Sequence, residues 1–361
     1  MSSSKDDAST TKMEHAKGPM FSKKETEYLR RRDEYLDSVY PAHPDSVQEG
    51  FEYFFSKRPD LAPPEGVTAD EGSSMRLMRF RGIPRRKMVG MLGTVRNLRK
   101  GMNQSWDDIE TYFDDLQPTP FEPKPGLWED LQSYVRSKWD DVFIGFTELP
   151  PQMIFRGKFT LFKYALVVAQ EMKRDKIDHA PEFEAGKEVM RVYASLGLVV
   201  NEIARWLRKR GVRCQSNHPL GGLVNTPSLA GKAGMGWQGR SGLLVTPEFG
   251  TRQRTAPVFI EHKYFEFTDN RDHSWIEEYC ELCQRCEKEC PQQAIYSEKV
   301  VAINDVPGIG AIRTCIDREL CFDYFIKTLG CSVCVKVCPF SHAGDTYDRL
   351  KAIVEKNPAS P

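Results

Sequence analysis

The chain has 361 residues, 40% apolar and 11% aromatic, enough for one sizeable core or two unequal ones. Its 51 basic and 51 acidic residues cancel, so the overall charge gives no reason to expect nucleic acid or an anionic lipid surface as partner. No run reaches the roughly eighteen consecutive apolar residues of a membrane-spanning helix, which excludes a helical membrane anchor as the organising feature.

The N-terminal stretch "MSSSKDDASTTKMEHAKG" lacks the apolar segment of a secretory signal. Arg85 and Arg86 precede a short apolar run but lie too deep in the chain for a twin-arginine signal, so a cytoplasmic location is expected. Residues 1–20 show no apolar periodicity and read as a disordered tail. Residues 21–140 read as an N-terminal helical and irregular region, broken by "PDLAPPEG" and "RGIPRRK" and closed by the proline-rich "DDLQPTPFEPKPG". The basic runs "RFRGIPRRK" and "RNLRK" read as solvated surface; a face for tRNA would need them gathered beside a pocket.

A core is expected over residues 141–270. "DVFIGFTEL" and "YALVVAQEM" have the β-branched and aromatic content of buried strands. Between Glu188 and Gly211, Val189, Val192, Leu196, Val199, Ile203 and Leu207 recur at steps of three and four, which predicts an amphipathic helix ended by Gly211. "GVRCQSN" and "GLLVTPEFG" read as further strands. Strands alternating with helices predict an α/β (α+β) core. Within it, Cys214 reads as a buried small hydrophobe and His218, beside Pro219, as a turn residue.

Nine of the ten cysteines stand at or beyond residue 280. With no export signal, ligation of metal is the better reading than disulfides. "CELCQRCEKECP" has the spacing C-x-x-C-x-x-C-x-x-x-C-P of bacterial ferredoxins, in which the fourth cysteine of a run ligates the other of two clusters. Cys280, Cys283, Cys286 and Cys338 are therefore assigned to one [4Fe–4S] cluster. Cys290, Cys331 and Cys334 go to a second, whose eighth ligand is Cys321 or Cys315, with Cys321 preferred as nearer in sequence to Cys331. Zinc binding or a disulfide knot is the alternative, and it rarely shows this proline-terminated run. Residues 271–345 thus form a two-[4Fe–4S] ferredoxin-like module, and residues 346–361 read as a C-terminal tail.

"AGMGWQGRSGLLVTPEFGTRQR" at 233–254, with the cysteine run after it, resembles the corrinoid-dependent reductive dehalogenases. "YALVVAQEMKRDKIDHAP", "YASLGLVVNEIARWLRKRGV" and "CFDYF" extend the likeness over roughly residues 155 to 345. The resemblance implies a nitroreductase-like core holding base-off cobalamin. Tyr193 falls on that family's proton-donating tyrosine and Arg254 on its partner cation, which stabilises the phenolate. Arg240 and Arg252 are weaker candidates for the same task. Gly221, Gly222, Gly234, Gly236, Gly239 and Arg240 are expected to line the corrinoid, glycines allowing the backbone to approach a flat cofactor closely.

The implied function is reductive dehalogenation of a small organohalide. With no reductase domain after residue 345, electrons are expected from a separate donor such as a ferredoxin or flavodoxin. Epoxyqueuosine reductase, which acts on tRNA, is similar in layout. That family carries an aspartate acid ahead of the glycine-rich stretch, and here no carboxylate stands between Cys214 and Gly236. Two other readings are a non-catalytic iron–sulfur electron-transfer protein and a corrinoid-handling protein.

Overall fold

The structure, a computed structural model, describes residues 91–110, 118–155, 160–306, 308–342 and 345–356. The expected tail 1–20, the "RFRGIPRRK" run and residues 21–90 of the N-terminal region lie outside the described residues.

The first described helix is α1, Leu92–Glu110, which includes the "RNLRK" run. Helix α2, Leu127–Lys138, carries Glu129 and Asp130 in its first turn and Arg136 and Lys138 in its last, both favourable to the helix dipole. It buries Leu127, Leu131 and Val135 at spacings of four. Then come β1, Val142–Glu148, and β2, Tyr164–Glu171. Helix α3 spans Phe183–Arg208 and starts a turn earlier than the apolar periodicity predicted, because Ala185 and Gly186 are also buried. Gly211 follows at φ +74° and donates to Arg208 O at 3.0 Å, the left-handed stop expected of it.

Strand β3, Cys214–Ser216, and helix α4, Thr226–Lys232, lead to a short hairpin of β4, Trp237–Gln238, and β5, Leu244–Val245. Only those two residues of the expected strand "GLLVTPEFG" pair with β4. Strand β6, Gln253–Ile260, completes the sheet. Its order is β1-β2-β6-β3, and every neighbouring pair is antiparallel. The core is therefore α+β rather than a parallel crossover sheet.

Both faces of the sheet are covered, which explains the unbroken apolar run in β2. Leu166 and Val168 of β2, with Ala256, Val258 and Ile260 of β6, pack against Leu196, Val199, Val200, Ile203 and Leu207 of α3. Ala165, Val167 and Ala169, alternate residues of β2, join Phe259, Leu229 and Ala230 on the other face. Burying each such Leu, Val or Phe side chain contributes about 1.5–3 kcal/mol.

Helix α1 docks on α3 through two glycines and a polar network. Gly101 and Gly197 leave the space that the His218 ring fills, and a Cβ at Gly197 would sit 2.2 Å from the ring. His218 is thus a buried wedge between helices rather than a turn residue at the surface. Beside it, Ser105 Oγ donates to Asn201 Oδ1 at 2.8 Å, Asn201 Nδ2 donates to Gly101 O at 2.8 Å, and Ser216 Oγ lies 2.6 Å from Asp108 Oδ2.

The cysteine module consists of α5, Trp275–Cys283; α6, Arg285–Lys288; a hairpin of β7, Ile295–Val306, and β8, Gly310–Ile316; α7, Arg318–Thr328; and α8, Val333–Lys336. The hairpin leans on the core through Ile303, Val306 and Ile312. Residues 346–356 of the expected tail form a helix, α9, Thr346–Lys356, whose Leu350 and Val354 are buried. Among the described residues no helix is long and apolar enough to cross a membrane.

Candidate functional site

The two cysteine runs share one local geometry. Cys283 ends α5, Gln284 turns the chain at φ 52°, and Cys286 lies in α6. Cys331 is likewise followed by Ser332 at φ 62°, with Cys334 in α8. Each run closes on a Cys-Pro pair, Cys290-Pro291 and Cys338-Pro339.

The fold gathers the thiols into two quartets. Cys280 has Cys338, Cys286 and Cys283 as electrostatic neighbours. Cys321 has Cys290 and Cys331, and Cys334 has Cys321, Cys331 and, third, Cys286. One quartet is Cys280, Cys283, Cys286 and Cys338; the other is Cys290, Cys321, Cys331 and Cys334. Cys315 stands apart, its Sγ nearest to Gly239 O at 3.9 Å, and its charged neighbours are Arg313, Arg240 and Glu277 rather than any cysteine. All ten cysteines are free thiols. Among the described residues no three His, Cys, Asp or Glu side chains converge tightly enough to hold a lone metal ion.

Burial pushes the Cys280 and Cys286 thiols up to about 12 and those of Cys321 and Cys338 up to about 11, while Cys334 is raised further. Such thiols ionise when a metal replaces their protons. Backbone N–H groups stand ready for the negative sulfur: those of Arg240 at Cys280, Glu287 at Cys286, Val333 at Cys331, and Phe340 and Ser341 at Cys338. The Ala294 N–H donates to Cys290 Sγ at 3.4 Å.

Between core and module lies a cavity of about 460 Å³, within the range of ligand sites. Helix α3 supplies Tyr193 to its wall, the loop after β3 supplies Gly221 and Gly222, β6 supplies Gln253 and Arg254, and the module supplies Cys315, Cys321 and Phe325. Among the described residues the lining includes no Asp or Glu. The Arg254 guanidinium carbon lies 5.0 Å from the centre of the Tyr193 ring. Two buried polar atoms on this wall have no partner, the acceptor Gln253 Oε1 and the donor Arg254 Nε. Gln253 otherwise donates to Leu244 O at 2.7 Å. A second concavity of about 530 Å³, between α2 and residues 264–271, contains none of the residues predicted from sequence.

Of the residues expected around a cofactor, Gly221 and Gly222 line the cavity, and a side-chain carbon at Gly222 would meet nothing closer than 3.8 Å. Gly234, Gly236, Gly239 and Arg240 do not line it. Gly236 holds the β4–β5 hairpin shut, since a Cβ there would lie 1.9 Å from Val245 O. Arg240 is an inter-element clamp, bonded to Glu281 at 2.8 Å and Glu287 at 2.7 Å. Arg252 is similarly engaged, ion-paired with Glu171 and donating to Ser341 O at 2.8 Å and Met172 O at 3.0 Å. Arg254 is the candidate left facing Tyr193. Sequence reasoning missed Gln253, which stands inside the quoted "TRQR" but carried no signal of its own.

The 4Fe-4S binding domain family matches residues 273–296, which contain Cys280, Cys283, Cys286 and Cys290. Over 188 residues the chain is 30% identical to a tetrachloroethene reductive dehalogenase of Desulfitobacterium hafniense, covering 50% of this chain and 33% of that protein. Over 173 residues it is 26% identical to an epoxyqueuosine reductase of Gloeobacter violaceus, covering 46% and 51%. The chain thus spans about a third of the length of the first relative and about half of the second. A solved reductive dehalogenase, whose structure suggests a mechanism for B12-dependent dehalogenation, superposes with a TM-score of 0.54 at 18% identity, covering 73% of this chain and 41% of that one. The chain therefore has a reductive dehalogenase-like fold, carries a 4Fe-4S binding domain, and is similar in sequence to two kinds of oxidoreductase, the reductive dehalogenases and the epoxyqueuosine reductases.

Proposed function

We propose that the protein is a cobalamin-dependent reductase that removes halide from a small organohalide, with electrons relayed through two [4Fe–4S] clusters. The observation that carries this reading is the meeting of Tyr193, Arg254 and Cys321 on one cavity wall. The donor set of each thiol quartet, with its N–H donors, suits a cluster. The cavity suits base-off cobalamin in a nitroreductase-like core. Gly221 and Gly222 leave its wall open, and the amide groups around a corrin ring both accept and donate, matching the unpartnered Arg254 Nε and Gln253 Oε1.

Bound cobalamin supplies the reductive bond cleavage and the clusters supply its electrons singly. The chain's own residues do the rest. Tyr193 donates its phenolic proton to the carbon that loses halide, and Arg254 stabilises the phenolate left behind. Leu220, Leu243, Phe322 and Phe325 on the lining keep water from the reacting centre. Cys321 lines the cavity and no member of the first quartet does, so the second quartet would hold the cluster that passes electrons inward and the first quartet the one that supplies it. The donor that feeds the first quartet is a separate ferredoxin or flavodoxin, and the setting is cytoplasmic. The epoxyqueuosine reductase-like alternative, acting on tRNA, is less favoured because among the described residues the cavity lining has no carboxylate to serve as that enzyme's acid.

The test is metal content per chain after anaerobic reconstitution with hydroxocobalamin, followed by halide release from halogenated phenols and alkenes. About eight irons and one cobalt are expected. Tyr193→Phe should keep both metals and lose about 100-fold or more in turnover. Iron without retained cobalt would overturn the reading and leave an electron-transfer protein.

A further inference from the structure

Five arginines lie on or near the cavity, and their surroundings differ in one respect. Arg240 is held between Glu281 and Glu287, Arg252 is paired with Glu171, and Arg313 with Glu277. Arg318, on the lining, also has an interaction partner. The Arg254 side chain has no hydrogen bond or ion pair among the described residues, and its Nε is buried without a partner. The residue is only half-buried and its charge partly solvated, but a buried N–H without an acceptor favours a negative charge beside it.

Among the described residues the cavity wall offers no Asp or Glu for that purpose. What stands beside Arg254, besides the Tyr193 ring, is the second thiol quartet: its charge acts on both Cys321 and Cys334, and Cys321 shares the cavity wall with it. Four thiolates around a cluster make an anion that gains one further negative charge on reduction. A fixed positive charge beside it favours the reduced form. The first quartet also has an arginine nearby, because Arg240 acts on Cys286. There, however, Glu281 and Glu287 cancel the charge. At the second quartet Asp317 also acts on Cys321, but less strongly than Arg254, which acts on Cys334 as well, so the two quartets are alike in ligands and unlike in net neighbouring charge.

We propose that Arg254 raises the reduction potential of the cluster held by Cys290, Cys321, Cys331 and Cys334 above that of the cluster held by Cys280, Cys283, Cys286 and Cys338, so that electrons run downhill towards the cavity. The step is the passage of one electron between two clusters, with no bond made or broken. This inference rests on the two-cluster reading given above.

The test is a potentiometric titration of the reconstituted full-length protein, followed by electron paramagnetic resonance, without substrate. Arg254→Gln should lower one cluster's one-electron equilibrium constant about tenfold or more, 59 mV per tenfold, and leave the other unchanged. Arg254→Lys, which keeps the charge, should restore most of the difference. The Cys321→Ser protein, which retains the first cluster, identifies which signal moved. Glu287→Gln gives an independent arm: by freeing the charge of Arg240 it should raise the first cluster and narrow the gap. Two clusters that ignore Arg254→Gln, that shift together, or that respond equally to Lys and Gln would overturn the inference alone. So would a Glu287→Gln protein with an unchanged first cluster. Wild-type protein with fewer than two cluster signals would overturn the two-cluster reading itself and the inference with it.

Discussion

Spacing favours Cys321 over Cys315 only by its nearness to Cys331, and the fold separates the two. Cys321 lies on α7 against Cys290 and Cys331, whereas Cys315, one residue before the end of β8, lies against Gly239 and Arg313. Cys321→Ser should therefore reduce iron to about four atoms per chain, and Cys315→Ser should leave about eight, read by iron analysis. Equal loss in both variants would reassign the ligand. Spacing singled out the other cysteines because a cluster loop is local geometry, and the turns at Gln284 and Ser332 repeat one another. His218 was not legible, because its burial depends on two glycines far away in sequence. Burial lowers its pKa from 6.5 to about 4. A depressed folded-state pKa gives stability that is complete above the unfolded value and is lost as pH falls through the folded one. His218 should thus contribute about 3 kcal/mol at pH 7, lost between pH 6.5 and about 4. Comparing denaturant unfolding of wild type and His218→Gln across that range should show a steeper fall for wild type; parallel curves would refute it.

At the scale of elements, strand β6 shows most clearly what sequence could not supply. It sits between β2 and β3, yet carries Pro257, a residue that argues against a central strand because it offers no N–H to a ladder. The structure accommodates it at the end of the short β3 ladder: Pro257 O accepts from Asn217 N at 3.0 Å, just past the last β3 pair, Ser216 with Val258. The missing donor falls where pairing stops. Helix α3, by contrast, was legible because its apolar period is long and regular. The docking of α1 on it was not, since it joins a small apolar contact of Leu98 and Met102 with Met190 and Ala194 to a buried polar network that no local period encodes. Asn201→Ala should cost about 2 kcal/mol in denaturant unfolding, because it removes the acceptor of the buried Ser105 hydroxyl and the amide that ties α3 to Gly101 O. On the same helix, Glu202→Ala removes a pair with Lys138 at the surface and should cost under about 1 kcal/mol. Similar costs for the two would mean that the network does not bear on stability.

For the whole molecule, sequence composition suggested a core followed by a small appended module, and the packing joins them. A Cβ on Gly250 would lie 1.9 Å from Phe340 O, and one on Gly186 would lie 2.7 Å from Thr328 O, so core backbone touches module backbone at two separate places. Arg252, at the mouth of β6, fastens Ser341 O to Met172 O. Val335 of α8 is buried with Met172, Val189 and Val192 of the core, and α9 seals the first quartet's side by placing Leu350 with Ile276 and Phe340. These contacts come from residues distant in sequence, which no local pattern encodes. They also carry the functional geometry, because the cavity has one wall from each part. Core and module should therefore unfold together. In the reconstituted protein, loss of visible cluster absorption and loss of far-ultraviolet helix signal should follow one transition. Arg252→Ala, which removes the fastening without touching a cysteine, should lower that transition and draw the two signals apart. A wild-type protein whose clusters bleach well before its helices melt would show that the module opens alone, and the cavity would then be an interface between two independently stable bodies.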